Sequence, residues 1–168
     1  MAAFVSVNPT ACTGCRECEM VCSLVHFGEC NPDRSAIRVL RKEAHGLVAP
    51  LPLVCQHCDR PACVPACPAD ALTRTESGLL AVDRDACTGC GECIEACPAG
   101  CIFQDVKSGE ALACDLCGGE PQCVPFCHAQ CLTVGVDTGE PGERRVARLA
   151  EVKAMPFPTA ATTAGGAR

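Results

Sequence analysis

The chain has 168 residues, of which 19 are cysteine and 5 phenylalanine, with neither tryptophan nor tyrosine. Aromatic side chains each bury roughly 150–250 Å² and dominate ordinary core energetics, so an aromatic-centred core is excluded and groups attached to sulfur must organise the fold. A formal charge of −6 argues against nucleic acid as a partner, and no run approaches the ~20 apolar residues of a membrane span.

Residues 1–12 lack a basic region, a long apolar stretch and a twin-arginine pair, so the start of the chain does not read as an export signal. The expected location is cytoplasmic, where disulfides are rare. An odd number of thiols also fits a disulfide framework poorly. Metal ligation is the better reading.

Sixteen cysteines fall into four groups of four. The first is Cys12, Cys15, Cys18 and Cys22. The second is Cys55, Cys58, Cys63 and Cys67; the third is Cys87, Cys90, Cys93 and Cys97; the fourth is Cys114, Cys117, Cys123 and Cys127. Groups one and three read C-x2-C-x2-C-x3-C, the second widens the middle gap to x4 and the fourth to x5. The third group, followed by Pro98, is the bacterial ferredoxin run for a [4Fe–4S] cube. Three thiolates on one tight loop wrap three irons of a cube, while the fourth, on the helix that follows, reaches the neighbouring cluster. Small residues between ligands, as in Thr13-Gly14, Thr88-Gly89 and Gly118-Gly119, permit close approach and positive φ. Zinc would use two C-x2-C pairs and leaves the third loop cysteine and the x3-Cys unexplained. Sixteen thiolates make four sites of four, and hence four [4Fe–4S] clusters.

Short helices are expected after the three-cysteine loops, for example over 17–25 and 92–96. Residues 36–42 and 47–50 read as strands about a turn at His45-Gly46. Residues 72–75 and 79–82 read as a hairpin about Glu76-Ser77-Gly78. Residues 132–136 and 144–149 read as a further pair, with Arg144, Arg145 and Arg148 on a solvated face. The expected fold is α+β: two bacterial-ferredoxin-like modules with two clusters each, one inserted in the other, with short helices and β-hairpins. The inner module is 51–104 and the outer 1–50 plus 105–150. The tail 151–168 is expected to be extended and to dock a partner.

Three cysteines remain: Cys30, Cys101 and Cys131. They are read as small buried packing residues, with Cys131 a rival to Cys127 because His128 stands where a proline is usual. His26 is read as a loop histidine packing near a cluster, and His57 as able to tune a potential through hydrogen bonding. There is no nucleophile–base set, phosphate loop or dinucleotide fingerprint, so the chain is expected to be a non-catalytic electron-transfer subunit.

The arrangement resembles the four-cluster electron-transfer subunits of the dimethyl sulfoxide reductase and formate hydrogenlyase group over roughly residues 8–150. Within it, Cys15-Arg16, Cys22-Ser23, His26, Gly28, Asn31-Pro32, Arg34 and Cys117-Gly118-Gly119-Glu120-Pro121 look most like the small iron–sulfur subunit of tungsten aldehyde oxidoreductases and of tungsten benzoyl-coenzyme A reductase complexes. The resemblance implies that group one pairs with four and group two with three. Cluster 1 would then take Cys12, Cys15, Cys18 and Cys127, and cluster 2 Cys55, Cys58, Cys63 and Cys97. Cluster 3 would take Cys87, Cys90, Cys93 and Cys67, and cluster 4 Cys114, Cys117, Cys123 and Cys22. The implied partners are a tungsten or molybdenum pterin catalytic subunit, a flavoprotein or ferredoxin, and further copies of the chain itself. The implied alternatives are a free polyferredoxin carrier and a subunit of a formate dehydrogenase or hydrogenase complex.

Overall fold

The computed structural model describes residues 3–44 and 47–136. Regular structure is sparse. It comprises four two-stranded antiparallel sheets and two α-helices, with one-turn 3-10 segments at Pro32–Arg34 and Leu116–Gly119. Strand β1 (Ala3–Val7) pairs with β8 (Leu132–Val136), and β2 (Ile37–Ala44) pairs with β3 (Leu47–Val54). Strand β4 (Leu72–Arg74) pairs with β5 (Leu80–Val82), and β6 (Phe103–Gln104) pairs with β7 (Ala111–Leu112). Helix α1 is Glu17–Phe27 and α2 is Glu92–Glu95.

Most expected elements are found, with two corrections. Residues 132–136 are a strand, but their partner is β1 at the other end of the described chain, which the sequence reading did not foresee. The foreseen strand 144–149, Arg144, Arg145 and Arg148, the tail 151–168 and the turn at His45-Gly46 lie outside the described residues. The second correction concerns the helices. Those over groups one and three form, but groups two and four make only turns between their third and fourth cysteines. Pro65 and Pro125 stand inside those x3 gaps, and proline offers no N–H to a helical ladder. What remains is a chain of i→i+3 bonds, Val64 N–H to Pro61 O and Cys67 N–H to Val64 O, repeated as Val124 to Pro121 and Cys127 to Val124.

Helix α1 starts with Arg16 in the left-handed region and ends on Gly28 at φ 69°, whose N–H returns to Leu24 O. Its Glu19 is fully buried. The carboxylate accepts from Val39 N–H at 2.6 Å and from Arg16 Nε at 2.6 Å, tying the helix to β2. Strand β3 carries Pro50 and Pro52 opposite Arg41 and Val39. Two residues apart, their missing N–H groups fall on one edge, which no other described strand uses.

The buried side chains form three clusters. One joins β1, α1, β2 and β8 around Val5, Ile37, Val54, Leu116 and Leu132, with Cys18, Cys22, Cys123 and Cys127 among them. A second gathers Leu72, Leu80, Ile102 and Ala111 with Cys55, Cys63 and Cys93. The third is small: Leu51, Leu53, Ala99 and Cys101. Cysteine sulfur thus fills the places that aromatic rings occupy elsewhere. Across the first cluster's edge, Arg34 makes a fork to the buried Asp105, with Nε to Oδ1 at 2.8 Å and Nη2 to Oδ2 at 2.7 Å. Its guanidinium also lies 3.8 Å from the ring centre of Phe27.

Candidate metal centres

The four cysteine loops repeat one backbone feature. The residue before the second cysteine has positive φ in every group: Gly14 at 74°, His57 at 47°, Gly89 at 69° and Leu116 at 57°. Two of these are the glycines anticipated from composition. The other two carry full side chains into the left-handed region, where L-residues pay about 1–2 kcal/mol. A second feature follows the fourth cysteine in three groups. Asp70, Gly100 and Gln130, each three residues on, also have positive φ and return their N–H to the carbonyl of Cys67, Cys97 and Cys127. The next N–H then turns onto sulfur: Ala71 to Cys67 Sγ and Cys101 to Cys97 Sγ, both 3.3 Å. At Cys22 the pattern breaks because α1 runs on to Phe27, and Ala36 N–H reaches that sulfur instead, at 3.4 Å.

The cysteines converge in sets that mix groups. Cys55, Cys58, Cys63 and Cys97, with Cys101 beside them, line one hollow. Cys67, Cys87, Cys90 and Cys93 line a second. A third is lined by Cys22, Cys114, Cys117 and Cys123. The remaining four are linked more loosely. Cys18 feels the charges of Cys15 and Cys12, Cys127 Sγ lies 3.4 Å from Cys131 Sγ, and Cys131 in turn feels the charge of Cys12. All 19 cysteines are free thiols.

The electrostatics of these sets are unfavourable without a cation. Burial, then repulsion from neighbours, pushes the thiols of Cys18 and Cys114 up to about 12 and that of Cys63 up to about 11. Cys55 and Cys123 are pushed further the same way. Four mutually repelling sulfurs around one hollow are a donor set that positive metal stabilises, and all-thiolate sets suit iron–sulfur clusters.

Not every sulfur is raised. The Cys101 thiol and three backbone N–H groups hold Cys97 down at about 5. Burial pushes Cys127 up, but bonds from the Cys131 side chain and the N–H groups of 131, 132 and 129 outweigh it. The same contest at Cys22 is won by His26, Ser35 and Ala36 N–H.

Of the three spare cysteines, Cys101 and Cys131 are buried as expected, but Cys30 is exposed and is no packing residue. His26 is not in a loop. It occupies the last turn of α1, its Nε2 3.7 Å from Cys117 Sγ and 3.4 Å from Asp115 Oδ1. Bonds to Cys117 and Cys22 push its pKa up to about 10. His57 is buried, and its Nδ1 accepts from Leu80 N–H at 3.0 Å, pinning β5 to the second loop. Its backbone N–H reaches Cys55.

The fold and these cysteine sets define the class: an iron–sulfur protein of the 4Fe–4S type. The chain belongs to the 4Fe–4S dicluster domain family, whose model matches residues 46–137, and a 4Fe–4S binding domain model also matches residues 9–25. Among similar proteins, a tetrathionate reductase subunit from Archaeoglobus fulgidus is 38% identical over 85 residues, covering 51% of this chain and 40% of its own. The aliphatic sulfonate oxidoreductase polyferredoxin-like subunit of Pyrococcus furiosus is 39% identical over 89 residues, covering 52% and 50%. The probable anaerobic dimethyl sulfoxide reductase chain YnfG of Escherichia coli is 33% identical over 96 residues, covering 50% and 46%. The matched stretches thus span half the length of these relatives or less. A solved structure, the active site complex BamBC of benzoyl coenzyme A reductase with benzoyl-CoA, aligns over 96% of both chains at 25% identity with a TM-score of 0.47. No helix among the described residues is long and apolar enough to cross a membrane.

Proposed function

We propose that the chain is an electron-transfer subunit that relays single electrons through four [4Fe–4S] clusters. The carrying observation is the convergence of sulfurs from different groups on shared hollows, three from one loop and one from another group. On this reading cluster 1 is held by Cys12, Cys15, Cys18 and Cys127, and cluster 2 by Cys55, Cys58, Cys63 and Cys97. Cluster 3 is held by Cys87, Cys90, Cys93 and Cys67, and cluster 4 by Cys114, Cys117, Cys123 and Cys22. Groups two and three then form an inner module, 51–104, inserted in an outer one made from 1–50 and 105–150.

Each cluster, when bound, supplies one-electron chemistry at iron. The chain's own residues do the rest. Loop amides and buried thiolates fix each site, and the apolar residues of the two larger side-chain clusters keep water from the sulfurs. With every iron ligated by cysteine there is no open position for substrate, so the reading is a conductor rather than a catalyst. Its partners are a tungsten or molybdenum pterin subunit of the aldehyde oxidoreductase type on one side and a flavoprotein or ferredoxin on the other. Two things support this choice: the motifs around Cys15–Arg34 and Cys117–Pro121, and similarity to subunits of tetrathionate, dimethyl sulfoxide and sulfonate oxidoreductases.

Metal analysis of the anaerobically purified chain is expected to give about 16 iron per chain, four clusters of four. Cys15→Ser should lower that figure by about one cluster, whereas Cys101→Ala should leave it unchanged. Zinc in place of iron, or equal loss in both variants, overturns the ligand reading. An anaerobic pull-down at physiological salt should recover a pterin-containing subunit. A chain that runs alone points instead to a free polyferredoxin carrier.

A further inference from the structure

The position four residues after the last cysteine of each group is occupied by His26, Ala71, Cys101 and Cys131. Three of these four side chains can donate a hydrogen bond; the methyl group of Ala71 cannot. Each donor lies against the sulfurs of one mixed set. His26 Nε2 is 3.7 Å from Cys117 Sγ, and the ring lines the hollow of Cys22, Cys114, Cys117 and Cys123. Cys131 Sγ lies 3.4 Å from Cys127 Sγ. Cys101 lines the hollow of Cys55, Cys58, Cys63 and Cys97, and its thiol is 3.7 Å from Ala99 O, an acceptor that competes with those sulfurs for its proton.

The backbone explains how the positions come to be equivalent. In three groups the chain turns at a positive-φ residue and brings the fourth following residue back over its own cysteine. In the first group the helix continues, and one full turn places His26 above Cys22 on the same face. Two local structures thus deliver one side chain to the same place.

We propose that these four positions grade the reduction potentials of the clusters: His26, Cys101 and Cys131 each make one cluster easier to reduce, and Ala71 leaves the Cys67, Cys87, Cys90, Cys93 cluster without that help. The inference rests on the ligand assignment above. A reduced cluster carries one more negative charge, spread over its sulfurs, and a donor at sulfur stabilises that form over the oxidised one. Removing the donor therefore moves the midpoint of that cluster to more negative potential. His26 does this as a positioning and tuning group rather than as a ligand.

The test is a redox titration of the full chain followed by electron paramagnetic resonance, with iron counted in parallel. His26→Ala, Cys101→Ala and Cys131→Ala should each shift one midpoint, a different one each time, to more negative values. His26→Gln, Cys101→Ser and Cys131→Ser keep a donor and should return that midpoint toward the parent's. Ala71→Ser should shift the remaining midpoint the other way. Iron should stay near the parental figure in all seven. Full iron with unmoved midpoints overturns the proposal and leaves the ligand assignment standing. Loss of one cluster's iron in both the alanine and the serine variant of Cys131 makes that residue a ligand, and overturns assignment and proposal together at that site.

Discussion

Gly89 has positive φ, and a β-carbon added to it would lie 2.7 Å from the backbone oxygen of Gly109. Gly91, two residues on, also has positive φ but open space around it. Gly91→Ala should therefore cost only the backbone term, about 1–2 kcal/mol. Gly89→Ala should cost more and displace the 105–110 turn from the third loop. Urea denaturation of the two variants, with iron counts, separates them. At the same scale, the Arg34 guanidinium holds the Asp105 carboxyl well below the usual carboxylate range. Because the folded value is depressed, the pair's contribution is fully present above the unfolded carboxylate value of about 3.9 and fades as pH falls from there toward the folded value. Asp105→Asn should be less stable than the parent at neutral pH, and the gap should narrow below about pH 4. Urea midpoints at a series of pH values check this, since the acid sensitivity of the clusters is common to both chains. None of this pairing was legible beforehand. Arg34 and Asp105 are 71 residues apart, and only the fold makes them neighbours.

Helix α1 shows what an element adds. Its start at Glu17 is the expected one, but it runs two residues past the expected end at 25, to the left-handed Gly28, which puts His26 in the helix rather than in a loop. Its anchor was not anticipated. Glu19 looks like a first-turn carboxylate facing solvent, yet it is buried and accepts from Val39 N–H. Glu19→Ala leaves that N–H unsatisfied in the core, a loss of about 1–3 kcal/mol, and should free α1 from β2. Hydrogen exchange at Val39 and the urea midpoint report it. The strands divide similarly. The β2–β3 and β4–β5 hairpins are local, with turn signals and alternation that can be read directly. The β1–β8 pair joins residues 3–7 to 132–136, and five residues of mixed character at a chain end carry no signal of their partner.

At the scale of the molecule, the described residues hold little apolar mass apart from sulfur. The largest buried cluster contains five cysteines among thirteen buried residues, and four of the five are ligands on the proposed assignment, so the core is expected to depend on metal and sulfide. Oxidative removal of iron followed by chelation should abolish the far-ultraviolet signature of the fold, and restoring iron and sulfide under reducing conditions should return it. A chain that keeps its circular dichroism without metal would show that the hairpins and α1 suffice. The borders set at 50/51 and 104/105 fall within β3 and within the β6–β7 hairpin, so the passage between the proposed modules runs through paired strands. Leu24 and Val25 on α1 and Phe126, next to Cys127 in sequence, are exposed.

By itself the sequence determined the iron–sulfur chemistry of this protein: sixteen cysteines in four groups of four, two of them at ferredoxin spacing, together with two hairpins and the start of α1. These are local patterns, set by the reach of a thiolate, the freedom of glycine and the alternation of a strand. The tertiary structure alone decided that Glu19 and Asp105 are buried and paired, and that His26, Cys101 and Cys131 lie against the converging sulfurs. The reason is physical. A thiol's spacing along the chain is written in its neighbours, whereas the charge and hydrogen bonds it meets come from segments tens of residues away, brought to it only by folding.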